Sequence, residues 1–224
     1  MANEALSDVR IKAGLVELEG ELVLPDSPLG VVLFAHGSGS SRHSPRNRYV
    51  AHALQEGRLG TLLIDLLTPA EDQIDSRTAE LRFNIDLLAE RLIAAVDWVG
   101  SQPALQALNL GLFGASTGAA AALVAAARRP AQVSVVVSRG GRPDLAGAVL
   151  SQVRAATLLI VGDNDLQVLE LNRAALQELR GEKELRIVPG ATHLFEEPGA
   201  LEEVSRLAGE WFQTHLGRRN TNAA

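Results

Sequence analysis

Several short stretches carry residues whose types and spacing suit nucleophilic catalysis. Gly114-Ala115-Ser116-Thr117-Gly118 follows the apolar run Leu108–Phe113 and matches G-x-S-x-G. A nucleophilic serine must sit on a very tight strand-to-helix turn, and flanking glycines remove side chains that would collide there. The helix that follows points its amino end at the site, which favours developing negative charge. The competing use of such a serine is to cap that helix.

Serine is a poor nucleophile at its own pKa and needs an adjacent base, which in turn needs an orienting acid. In chain order the acid comes next. The apolar run Thr157–Val161 leads into Gly162-Asp163-Asn164-Asp165. Asp165 is the expected acid, because it lies deeper in the loop. Asp163 is expected to satisfy the backbone of the turn, and the competing role for Asp165 is a helix cap near Leu166. The base is expected at His193, directly after Leu185–Val188 and Pro189-Gly190. His36 and His52 read as structural, and His215, on the C-terminal helix, as a surface residue. One oxyanion donor should be the backbone N–H of Thr117. The other should come from His36-Gly37-Ser38-Gly39, with Ser38 as the chosen donor and Gly37 or Gly39 as its neighbours in register.

These loops need a scaffold that brings them to one edge. Short β-rich runs alternate with helical patterns along the chain. Val9–Leu24 reads as one or two antiparallel strands. Val31–Ala35, Thr61–Leu66, Leu108–Phe113, Val133–Val137, Thr157–Val161 and Glu184–Val188 read as further strands. Helical spacing covers about Arg46–Glu56, Ala79–Val99, Thr117–Arg128, Leu166–Arg180 and Leu201–Leu216. The alternation predicts an α/β fold with a mostly parallel sheet and helices on both faces. Right-handed crossovers then place every strand-to-helix loop at the carboxyl edge. Residues 1–217 are expected to form a single domain, and residues 218–224 a disordered tail. Only a short helix near Leu145–Gln152 is expected between the fifth and sixth of the strand runs above, so no substantial cap covers the site.

Composition narrows the function classes. The net charge of −6 and the 4% of aromatic residues argue against a nucleic-acid partner. With no cysteine, disulfides, thiolate metal sites and a cysteine nucleophile are excluded. No signal-like start and no membrane-length apolar run is visible, so a cytoplasmic location with no membrane partner is expected. The chemistry calls for no metal or cofactor.

The His36-Gly37 loop, the Gly114–Gly118 elbow, Gly162-x-x-Asp165 and Gly190-x-x-His193 together resemble the α/β-hydrolase superfamily, in its small dienelactone hydrolase-like branch. The resemblance implies the α/β-hydrolase fold and hydrolysis of a small ester by a Ser116–Asp165–His193 triad. Residues 42–48 (RHSPRNR) also resemble hydrolase domains found alone or fused to phosphoribosyltransferases; the chain has no room for that partner. Dienelactone hydrolases proper use a cysteine nucleophile, so Ser116 points to a general, water-soluble ester instead. Arg42 and Arg142 flank this edge, with Arg46, Arg48 and Arg139 near them in sequence. Arg42 and Arg142 are candidates to hold a substrate carboxylate or phosphate, against internal pairing with Asp65 and Asp144.

Other functions would need other residues. A dinucleotide fingerprint fails, because Gly37-Ser38-Gly39 is followed by Arg42 where the third glycine belongs. A dehalogenase would carry aspartate at the elbow. Acyl transfer to another acceptor would use the same residues, and a catalytically silent binding module would share the fold.

Overall fold

The structure is a computed structural model that describes residues 5–217. The expected tail, residues 218–224, lies outside the described residues. Eight strands form one sheet: β1 (Ala5–Ala13), β2 (Val16–Leu24), β3 (Val31–Ala35), β4 (Gly60–Ile64), β5 (Leu110–Ala115), β6 (Val133–Arg139), β7 (Ala156–Gly162) and β8 (Lys183–Val188). Their order is β1-β2-β4-β3-β5-β6-β7-β8. The antiparallel hairpin β1–β2 joins antiparallel to β4, and every other pairing is parallel. The central strands β3, β4, β5 and β7 are buried at every residue, which explains their mainly apolar sequences, with Thr61 and Thr157 the polar residues among them.

Six α-helices cover the sheet: α1 (Pro45–Glu56), α2 (Pro69–Thr78), α3 (Ile85–Ser101), α4 (Thr117–Arg128), α5 (Leu166–Glu178) and α6 (Ala200–Leu216). One face packs Val32, Phe34, Phe113, Val135 and Val137 beneath α1 and α6. The other packs Leu33, Leu112 and Val136 beneath α3 and α4. The alanines of α4 are buried on all sides, and their small size lets the helix sit close to the sheet and to α3. Since β3 feeds α1 on one face and β5 feeds α4 on the other, the carboxyl ends of β3 and β5 flank the crevice where ligands of such sheets bind.

The helix expected over Ala79–Val99 divides differently. Asn84 caps α3 through its side chain, which accepts from the Leu87 N–H, and the preceding residues belong to other elements. α2 lies wholly before the expected start. Ala79 ends it in the left-handed conformation, and a 3-10 turn covers Leu81–Phe83. Between β6 and β7 stands only a 3-10 segment, Pro143–Gln152, broken at Gly147, so the carboxyl edge has no large cap. Among the described residues no helix is long and apolar enough to cross a membrane.

Candidate active site

Ser116 closes β5 and opens α4 with φ 51° and ψ −120°, a conformation costly for any residue with a side chain. Its backbone is held on both sides. The N–H donates to Arg139 O at 3.2 Å, and the C=O accepts from Ala119 N–H and Arg142 N–H, each at 3.1 Å. Ser116 stands at the N-cap position of α4, yet its side chain makes no capping bond. Capping therefore does not account for the residue, and Oγ is left for other use. The neighbouring glycines serve close packing. A Cβ on Gly114 would lie 2.4 Å from Ala119 Cα, and one on Gly118 would lie 2.3 Å from Ala35 O.

Asp165 and His193 stand where the sequence predicts them, and they meet. His193 Nδ1 lies 2.6 Å from Asp165 Oδ2. A carboxylate only accepts, so Nδ1 carries the proton, and in the neutral ring this tautomer leaves the lone pair on Nε2. Asp165 occupies the N-cap position of α5 without capping it. The two loops are stitched together by Asp163 N–H to Val188 O at 3.2 Å, Asn164 N–H to Ala191 O at 3.0 Å and Asn164 Nδ2 to Gly190 O at 2.9 Å. Asp163 does not satisfy the turn through its side chain: its buried Oδ1 has no hydrogen-bond partner among the described residues. The turn is held by backbone N–H groups instead.

The Arg139–Gly140 peptide lies between nucleophile and base. Arg139 O receives the Ser116 N–H, while a Cβ on Gly140 would stand 3.1 Å from His193 O and 3.6 Å from its Nδ1. Among the described residues no hydrogen bond joins Ser116 Oγ to His193; such contacts commonly tighten only around substrate.

The loop after β3 is fixed from beneath by His36. Its Nε2 accepts from Leu66 N–H at 3.0 Å and Nδ1 donates to Gly37 O at 3.0 Å, so the ring is neutral. Burial pushes its pKa down, against the pull of Gly37 O and nearby carboxylates. Gly37 packs against the elbow, where an added Cβ would be 3.0 Å from Ser116 Cβ. Ser38 Oγ donates to Arg82 O at 3.3 Å and lies 2.9 Å from Thr117 Oγ1, which makes the threonine hydroxyl the donor between them. The main-chain N–H groups of Ser38 and Thr117 donate to no turn or loop carbonyl among the described residues.

A support for this loop escaped the sequence. Arg82 is gripped by buried Asp75 of α2: Nε donates to Oδ2 at 2.6 Å, Nη2 donates to the Asp75 carbonyl at 2.8 Å, and the N–H groups of Leu81 and Arg82 donate to Oδ1. The available signal was Thr68-Pro69-Ala70-Glu71, a capping box with proline at the first helical position.

The arginines divide into two groups. Arg42 pairs with Asp65, and its Nη2 reaches Glu19 at 2.7 Å. Arg142 grips Asp144 with two bonds of 2.8 and 2.7 Å. Both forks are occupied by protein carboxylates rather than turned out toward a ligand. Arg139 differs. It is the last residue of β6 rather than part of the following loop, it is only 8% exposed, and its Nη1 has no partner. Burial, with the nearby Arg46 charge, pulls its pKa down to about 10. Two other histidines are placed away from this chemistry: His52 is exposed beside Glu56, and His215, expected at the surface, is instead covered, its side chain 8% exposed and Nδ1 donating to Trp211 O within α6. No group of three or more His, Cys, Asp or Glu that could hold a metal occurs among the described residues.

No protein-family model matches the chain. It is 56% identical over 209 residues to proteins of Mycobacterium tuberculosis, strains CDC 1551 / Oshkosh and ATCC 25618 / H37Rv, described as phosphoribosyl transferases. The match covers 93% of this chain but 46% of those proteins, so the chain spans about half their length. Among solved structures, a dienelactone hydrolase from Anabaena variabilis is 58% identical with a TM-score of 0.94, covering 95% of this chain and 99% of that one. Est1E from Butyrivibrio proteoclasticus superposes with a TM-score of 0.78 at 15% identity over 94% of this chain and 99% of Est1E, which speaks to the fold alone. The esterase domain of a Rhodothermus marinus protein does likewise, at 0.75 and 20%, over 95% and 100% of the two chains.

Proposed function

Because the chain belongs to the dienelactone hydrolase-like branch of the α/β-hydrolase superfamily, we propose that it is a serine hydrolase that cleaves a small, water-soluble carboxylic ester through an acyl-enzyme on Ser116. The observation that carries this reading is the 2.6 Å contact between Asp165 and His193 beside a serine held in a strained turn with its hydroxyl uncommitted.

In the proposed reaction His193 Nε2 takes the Ser116 proton as Oγ attacks the ester carbonyl. Asp165 holds the tautomer and offsets the imidazolium charge. The N–H groups of Ser38 and Thr117 receive the oxyanion, at the amino end of α4; one such donor is worth about 3 kcal/mol. Collapse breaks the C–O bond, and the imidazolium proton leaves with the alcohol. Water then repeats the sequence and frees the acid and Ser116. Without a large cap, small polar esters suit the open edge better than long acyl chains. The phosphoribosyl transferase description belongs to proteins about twice as long, and the reading here concerns the portion this chain spans.

A fluorophosphonate probe tests the reading. It should label the folded wild type at Ser116 and leave Ser116→Ala unlabelled. A folded wild type that resists the probe and hydrolyses no short p-nitrophenyl ester would refute it.

A further inference from the structure

At the carboxyl edge Arg139 and Arg46 each carry an N–H group that no described residue receives. Arg139 Nη1 and Arg46 Nε are both buried and unpartnered. The two positions are linked through one loop: Arg46 Nη1 reaches Glu196 at 2.9 Å, and a Cβ on Gly140, the residue after Arg139, would stand 3.3 Å from the ring of the adjoining Phe195. Among the described residues Arg139 forms no ion pair, whereas the similarly buried Arg91 pairs with Glu71 at 2.8 Å. Among the described residues Arg46 pairs only with Glu196, through Nη1 at 2.9 Å, and that carboxylate is 63% exposed.

The buried Arg139 charge has no counter-ion among the described residues, and the unused donors of both side chains carry a desolvation penalty. An anion between them would remove both costs. The place is also right for a substrate group. Arg139 pairs in register with Ala115, its carbonyl receives the Ser116 N–H, and Gly140 packs against His193. Its side chain shares the sheet face of Val135 and Val137, below α1. The amino end of α1, just before Arg46, adds its own positive potential.

We propose that Arg139 and Arg46 form a subsite for an oxyanion group, carboxylate or phosphate, borne by the substrate and bound on the α1 side of Ser116. That the ligand is an ester rests on the hydrolase reading above; the anion subsite itself does not.

Two measurements separate these claims. The first is the ratio of kcat/KM for p-nitrophenyl hemisuccinate, and for its phosphonate counterpart, over neutral p-nitrophenyl butyrate. In Arg139→Met and Arg46→Gln this ratio should fall about tenfold or more, and Arg139→Lys should restore part of it. The arm that falls further tells carboxylate from phosphate. Equal losses on charged and neutral esters would overturn the proposal. The second is calorimetric titration of folded Ser116→Ala with inorganic phosphate and with succinate, which needs no turnover. Binding that weakens about tenfold when Arg139→Met is added supports the subsite, and no binding of either anion at millimolar concentration overturns it. Arg139→Met should also raise the melting temperature by about 2–4 °C, since an unpartnered buried cation is replaced by an apolar side chain of similar length. A purely structural arginine would give a fall instead.

Discussion

Asp165 Oδ2 accepts from His193 Nδ1 across 2.6 Å while making no bond to the helix it precedes. Its position invites capping of α5, and its side chain is turned to the histidine instead. The same holds for Ser116, which stands at the N-cap of α4 and does not cap it. Two side chains that forgo a local bond at the same edge are the structural basis for assigning them to chemistry.

Asp165→Asn should lower kcat by about 10⁴-fold, because the amide can donate to Nδ1 and so favours the wrong tautomer. Folding should be nearly unaffected, as the side chains are isosteric. Steady-state kinetics beside a thermal melt checks both halves, and a loss of less than tenfold would remove Asp165 from the role.

Ser116→Gly should abolish turnover yet raise stability by about 1 kcal/mol. Glycine adopts φ 51°, ψ −120° without the clash that serine bears. Denaturant melts of the two proteins measure the difference. A less stable glycine variant would show that the turn stores no strain.

Asp75→Asn should act at a distance. It weakens the grip on Arg82, whose carbonyl receives Ser38 Oγ, and so loosens the loop that offers the Ser38 N–H. Removing one charge of a buried pair costs about 3–5 kcal/mol, so unfolding curves should shift markedly. In the fraction that remains folded, kcat should fall while KM changes little, as expected when an interaction is made only in the transition state.

His36 ties stability to pH. Burial holds its pKa below the ordinary value, whereas the unfolded chain regains about 6.5. Between those values the unfolded state binds more protons, so stability falls as pH drops below about 6.5. Protonation also removes the Nε2 acceptor from Leu66 N–H. Melting temperatures at about pH 7 and pH 5 should therefore differ more for the wild type than for His36→Gln. Equal differences would dissociate the slope from His36.

Ser116, Asp165 and His193 were legible as candidates because each lies in the segment that leaves a strand, and parallel topology delivers such positions to one edge. α2 was not, because it carries no apolar stripe: Asp75 is its one buried residue, and a carboxylate anchors it where leucines would. Arg139 reads as a loop residue beside Ser138 and Gly140, since a charge rarely ends a fully buried strand. Arg42 and Arg142 have the right placement for an anion, but whether a guanidinium is spent on a neighbouring carboxylate depends on tertiary geometry. Asp65 lies 23 residues from Arg42 in sequence.

A covalent acyl-enzyme on Ser116 is central to the proposed hydrolysis. Rapid mixing of the wild type with p-nitrophenyl butyrate, followed by acid quench and mass analysis, reads it directly. A burst of p-nitrophenol and a butyryl mass addition that maps to Ser116 are expected, with neither in Ser116→Ala. Turnover that persists in Ser116→Ala, or an acyl group found on another residue, would contradict it.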